Sequence, residues 1–246
     1  MLPPFFCIFV TGYRGRDVKI HVRPIYGKPT ESQRFDTDAP PTTLHHFFKL
    51  LMDMTQKLIV IDACMRDEES RTKKILKPIV EELGKRYEVE TIVLDGDDYQ
   101  PVGRKMLAER FSGYVPEQIV EQAKRIATAD RIVIAAPFWD MSYPAILKVF
   151  IENMSLFNIT FRDNGTYFEG LCRCQKLLYI TTRGMNVATG DTLDGATPYF
   201  KALSALWGLG EVITLAAANM DYYTPQQAEA KIQSTISEGL KIAQTF

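Results

Sequence analysis

The sequence predicts an α/β fold: a doubly wound, five-stranded parallel sheet with helices on both faces. Three observations carry this expectation. Strand-like and helix-like segments alternate five times along the chain. Ile132–Ala136 is an unbroken apolar run, not an alternating one, as a strand buried on both faces must be. Few long excursions separate the strand-like segments, which suits right-handed crossovers and the strand order 2-1-3-4-5.

The first run is Lys57–Ala63, followed by the loop Cys64–Glu69. Ser70 is a good N-cap for the helix that follows, whose apolar face is Ile75, Leu76, Ile79, Val80 and Leu83. Asp67–Glu69 lie at the positive end of its dipole, and Gly84 with Lys85-Arg86 marks its end. Val89–Leu94 is the second strand, closed by the turn residues of Asp95–Asp98. A long connection through Tyr114 leads to a helix over Glu117–Ala129, with Ile119, Val120, Ala123 and Ile126 inward. The third strand, Arg131–Ala136, stops at Pro137, and a helix is expected over Ala145–Phe157. Lys176–Thr182 and Val212–Ala218 are the fourth and fifth strands; Pro198–Trp207 and Pro225–Gln244 are helices. Residues 1–53 differ: they hold six of the thirteen prolines and keep no clean period. They read as a poorly ordered N-terminal extension, with a partner-binding arm as the alternative, and the folded domain as 54–246.

Composition narrows the function. The 246 residues carry a net charge of −1, which argues against nucleic acid as the main partner. No apolar run approaches the length of a membrane span, and the N-terminus lacks the basic start and cleavage site of a signal peptide. Four cysteines make no disulfide framework, so a cytoplasmic setting is expected. Cys172 and Cys174 have no second pair or histidine cluster to complete a metal site. His21, His45 and His46 all lie in the first fifth of the chain, which disfavours triad chemistry. No catalytic side chain and no metal are expected.

In the expected order, ligands bind at the switch point beyond the carboxyl ends of the first, third and fourth strands. There the first loop ends in Ser70-Arg71-Thr72 at a helix N-terminus, an anion site of hydroxyls and free amides. No glycine lies between Ala63 and Thr72, so neither a dinucleotide fingerprint nor a P-loop is present, and a terminal monophosphate fits better. Ser70 would equally serve as a plain N-cap. The second loop, Pro137-Phe138-Trp139-Asp140-Met141, offers aromatic faces and backbone amides to a flat ring; its aromatics could instead bury against the next helix. In the third loop Gly184 admits close approach to a ring, and Arg183 or a backbone N–H could stabilise negative charge. Phosphate site, aromatic platform and close-approach glycine together describe flavin mononucleotide (FMN).

Ala136–Pro144, Lys148–Asn153, Ile159–Arg162, Gly170-Leu171 and Leu178–Gly184 resemble the FMN-dependent NADH-azoreductases, which belong with the flavodoxin-like NAD(P)H:quinone oxidoreductases. The likeness runs from about Lys57 to the C-terminus. It implies that Ser70, Arg71 and Thr72 hold the FMN phosphate, that Cys64 approaches the cofactor, that Pro137–Met141 hold the ring, and that Thr182, Arg183, Gly184 and Met185 complete the site. Met185 stands where that family has a second glycine, and Asn186-Val187-Ala188 where azoreductases often have a histidine. The resemblance further implies a homodimer with the site at its interface, lined by aromatics around Phe157–Phe168. It also implies a ping-pong reaction in which hydride passes from NAD(P)H to FMN and on to a quinone, azo compound or similar small flat acceptor. A flavodoxin-type electron carrier is the alternative, disfavoured by the near-zero net charge and by extra length at Tyr99–Tyr114 and Asn158–Cys174. A regulatory fold that has lost its cofactor is a third reading.

Overall fold

The computed structural model describes residues 56–96 and 98–246 in full, and the backbone of two strands ahead of them. The chain divides into two compact units, Met1–Met54 and Thr55–Phe246. In the first, strands β1 (Phe6–Arg14) and β2 (Asp17–Pro24) pair antiparallel. Beyond that pair, the expectation that residues 1–53 are poorly ordered lies outside the described residues.

The second unit is built on strands β3 (Lys57–Asp62), β4 (Glu88–Val93), β5 (Arg131–Ala135), β8 (Lys176–Thr182) and β9 (Glu211–Ala217). They form one parallel sheet in the order β4-β3-β5-β8-β9. This is the 2-1-3-4-5 order expected from the sequence. β5 is buried at every position and β3 and β8 everywhere but their ends, while the edge strand β4 is half exposed. That contrast explains why β3, β5 and β8 read as unbroken apolar runs.

One sheet face carries α1 (Arg71–Leu83) and α6 (Pro225–Thr245), packed on Leu58, Val60, Val133, Leu178 and Ile180. The other carries α3 (Glu117–Thr128), α4 (Ala145–Met154) and α5 (Ala196–Trp207), packed on Ile59, Ile61, Ile132, Ile134 and Tyr179. Each buried Ile or Leu of these layers contributes about 1.5–3 kcal/mol of transfer free energy. Alternate residues of one strand serve opposite layers, so a one-residue slip would exchange both cores at once.

Three segments depart from the sequence reading. The connection before α3 contains a helix, α2 (Arg104–Phe111), that buries none of its residues. It has no apolar stripe to reveal it. It is held from outside: Arg110 donates from Nη1 to the carbonyl of Glu152 at 3.2 Å and from Nη2 to Asn153 Oδ1 at 3.2 Å, at the C-terminal end of α4. Asn153, itself buried, donates to the carbonyl of Gln100 at 2.9 Å. Helix α4 ends at Met154, short of the expected Phe157. The Thr160 hydroxyl accepts from Leu156 N at 3.0 Å and donates to the Met154 carbonyl at 3.1 Å, closing the last turn. A small hairpin of β6 (Phe161–Asp163) and β7 (Phe168–Gly170) follows, too short to show alternation in sequence. It carries a ladder of edge-on rings, Phe157 on Phe161 and Phe161 on Phe168.

Candidate functional site

The loops after β3, β5 and β8 converge at one end of the sheet, because those strands are neighbours and parallel. Direct bonds join them. Ala63 N donates to the Ala135 carbonyl at 2.8 Å, and Phe138 N to the Thr182 carbonyl at 3.1 Å. The hydroxyls of Thr72 and Thr182 lie 2.7 Å apart. The structure therefore brings all three sequence-predicted segments together.

In the first loop Ser70 is the N-cap of α1: its Oγ accepts from Lys73 N at 3.2 Å, and its carbonyl accepts the first helical bond from Lys74 N. The amides of Arg71 and Thr72 precede that bond and lie at the positive dipole end. Ser70 and Thr72 are buried, Arg71 half-buried. Behind them Asp62 accepts from Cys64 N at 3.0 Å and pairs with Lys73 Nζ at 3.1 Å; Lys73 also pairs with Asp67. The Cys64 thiol is buried against the Ala135 carbonyl. Burial, reinforced by Asp62, pushes its pKa up to about 12, so it remains a neutral thiol and not a nucleophile.

The second loop is a tight turn. Trp139 N and Ser142 N exchange bonds with each other's carbonyls at 3.1 and 2.8 Å. The two residues between them, Asp140 (φ 48°) and Met141 (φ 61°), are both left-handed, the signature of a type I′ turn. That turn normally selects Asn-Gly; here two side chains bear the strain. Its effect is to turn Trp139 and Met141 outward, and both are exposed, while Pro137 and Phe138 are half-buried. Gly195 fixes the turn from the third loop: its N–H donates to the Met141 carbonyl at 2.9 Å. A Cβ at Gly195 would lie 2.8 Å from that oxygen.

In the third loop two of the expected residues already have partners. Arg183 does not offer its side chain to a ligand. The guanidinium is fully buried, donating to Asp194 Oδ2 at 3.1 Å and to the Val187 carbonyl at 3.0 Å, with the Phe138 ring 5.1 Å away. It braces Phe138 and the loop. Gly184 does not stand open for a ring at its Cβ side either. That space holds the carboxylate of Asp221, whose N–H donates to the Gly184 carbonyl at 3.1 Å. Thr182 is spent on Thr72, and Met185 is partly exposed at the rim.

Sequence reasoning missed Asp194 and Asp221. Asp194 accepts from Gly190 N, Thr197 N and Arg183, and so folds residues 183–195 around itself. Its place just ahead of a helix was a readable capping signal. Asp221 lies beyond β9 and pairs with Arg71 at 2.8 Å, a relation only the fold creates. Among the described residues, no group of three or more His, Cys, Asp or Glu is placed to hold a metal ion.

The helix-start amides of Arg71 and Thr72 suit an anionic group, and the outward Trp139 and Met141 suit a flat one. The residues present thus fit a planar ring with an anionic tail. A model of the family described as having the flavodoxin-like fold matches residues 56–241. The chain belongs to this family. Among similar sequences, an FMN-dependent NADH:quinone oxidoreductase of Clostridium perfringens is 29% identical over 202 residues, covering 77% of this chain and 99% of its own. The FMN-dependent NADH:quinone oxidoreductase 2 of Clostridium acetobutylicum is 29% identical over 201 residues, with the same coverage. Among solved structures, an azoreductase of Bacillus anthracis superposes with a TM-score of 0.66 at 19% identity, over 78% of this chain and 100% of its own. An FMN-dependent NADH-azoreductase of the same species, in complex with FMN, gives 0.63 at 20% identity, over 76% and 99%. At those identities the structural likeness speaks to the fold alone.

Proposed function

We propose that the chain is an FMN-dependent NAD(P)H oxidoreductase that reduces a quinone, azo compound or similar flat acceptor. The single observation that carries this reading is the junction of a capped helix N-terminus at Ser70–Thr72 with the strained turn at Trp139–Ser142 on adjacent strand ends. The names of the curated relatives, which match nearly their whole length, support it. When bound, FMN supplies the hydride-transfer chemistry. The protein's part is placement. The amides of Arg71 and Thr72 hold the phosphate, Phe138 and Trp139 bound the ring on one side, and Met141 and Met185 line the rim. The buried Arg183–Asp194 pair keeps the second and third loops rigid. No nucleophile is needed, consistent with a Cys64 thiol held neutral by burial.

The reading extends to a cytoplasmic homodimer whose interface includes the exposed rings of Tyr167 and Phe168 on the β6–β7 hairpin and of Phe157 ahead of it. It takes residues 54–246 as the FMN-binding domain. Among the described residues, no helix is long and apolar enough to cross a membrane. An electron carrier would bind FMN equally, so turnover is the discriminating measurement. NADH oxidation by the FMN-loaded protein should depend on added benzoquinone; oxidation that no quinone or azo dye accelerates would leave the carrier reading. Ser70→Ala combined with Thr72→Ala removes the cap and the hydroxyl contact that fix these amides and should weaken FMN binding; unchanged affinity would show that neither hydroxyl supports the phosphate site.

A further inference from the structure

Two of the cations in the first turn of α1, Arg71 and Lys73, are paired with carboxylates. Lys73 is bonded to Asp62 and Asp67, and its side chain is only 15% exposed, so that pair is fixed in the loop. Arg71 is different. Its partner is Asp221, at 2.8 Å, and the two side chains are 42% and 68% exposed. An ion pair this exposed is weak and readily exchanged.

Asp221 is nonetheless firmly placed. Three successive amides stitch its loop onto the loop after β8: Asn219 N to the Met185 carbonyl at 2.9 Å, Met220 N to Arg183 at 3.0 Å and Asp221 N to Gly184 at 3.1 Å. Asn219 takes a left-handed φ of 67° to make this path. Gly184 supplies the room, since any Cβ there would strike the Asp221 carboxylate. The carboxylate is therefore presented by backbone from two strand ends to a guanidinium at the mouth of the anion site.

We propose that Asp221 is a positioning residue that sets cofactor affinity: it holds Arg71 away from the phosphate, so that FMN is bound less tightly than the same site would bind it without this carboxylate. A guanidinium bonds a phosphate dianion through two N–H groups and more strongly than it does an exposed carboxylate. FMN binding must first break, or share, the Arg71–Asp221 pair. This inference rests on the assignment of the phosphate to Ser70–Thr72. It concerns the phosphate alone and leaves the ring contacts untouched, so it predicts a discrimination between FMN and riboflavin that a merely structural role for Asp221 would not produce.

The test is a titration of the purified apoprotein with FMN and, separately, with riboflavin, followed by flavin fluorescence. Asp221→Asn should lower the Kd for FMN roughly three- to tenfold, the range set by freeing one exposed ionic partner near a dianion. It should leave riboflavin within about twofold, because riboflavin carries no charge for Arg71 to meet. Asp221→Glu, which keeps the carboxylate, should behave as the unaltered protein. In an Arg71→Gln background Asp221→Asn should have no effect on FMN. An FMN Kd that is unchanged or raised by Asp221→Asn would overturn the proposal. So would an equal gain for riboflavin, or a gain that survives Arg71→Gln. If the folded, unaltered protein takes up neither flavin, the underlying cofactor reading fails and this inference falls with it.

Discussion

At Arg183 a guanidinium without solvent contact is neutralised by Asp194, equally without exposure. Burial raises the Asp194 pKa, but the N–H groups of Gly190 and Thr197 and the charge of Arg183 outweigh it, leaving the carboxyl below the usual value of 3.8. Since the folded pKa is depressed, the stability that this group contributes is fully present above the unfolded value and is lost as pH falls through the folded one. Asp194→Asn should therefore flatten the acid limb of a melting-temperature profile below about pH 4. At neutral pH it should cost about 3 kcal/mol, because it strands a buried guanidinium. The turn at Asp140-Met141 yields an opposite sign. Each left-handed side chain costs roughly 1–2 kcal/mol, so replacing the pair by Asn-Gly should stabilise the apoprotein by about 1 kcal/mol in a thermal melt. It should also weaken FMN binding in a fluorescence titration, because Met141 is lost from the rim. A melt that does not rise would show that the turn carries no strain.

At the scale of elements, what the sequence revealed depended on burial. Strands β5 and β8 were legible nearly to the residue because both faces are covered, which forces apolar runs such as Ile132–Ala135. Helix α1 was legible from Ser70 and its apolar face. Helix α2 was not, because it buries nothing and is held by Arg110 and Asn153 through bonds that leave no pattern in sequence. The site divided in the same way. Ser70–Thr72 and Pro137–Met141 were readable as loop chemistry, whereas the roles of Arg183 and Gly184 depend on Asp194 and Asp221, which meet them only through the fold. The anchor of α2 can be tested alone. Asn153→Ala removes the acceptor for Arg110 and the donor to Gln100, and should cost about 1–3 kcal/mol. Hydrogen exchange should quicken across residues 100–111 while β5 and β8 stay protected; uniform loss of protection would show that Asn153 supports the whole core.

For the whole molecule, the parallel sheet places every carboxyl strand end on one side, and the family match begins at residue 56. We take the domain boundary near Met54. Removal of residues 1–53 should leave a cooperative melt and unchanged FMN affinity; loss of the transition would place those residues within the cooperative unit. The membership of the chain in the flavodoxin-like family and the names of its relatives support FMN as the cofactor; the central proposal is that the three strand-end loops hold it. The visible absorbance spectrum of the full-length protein, incubated with FMN and then desalted, tests it most directly. The protein should stay yellow, with flavin bands retained at about one FMN per chain. A colourless, folded protein that no amount of added FMN reconstitutes would contradict the account.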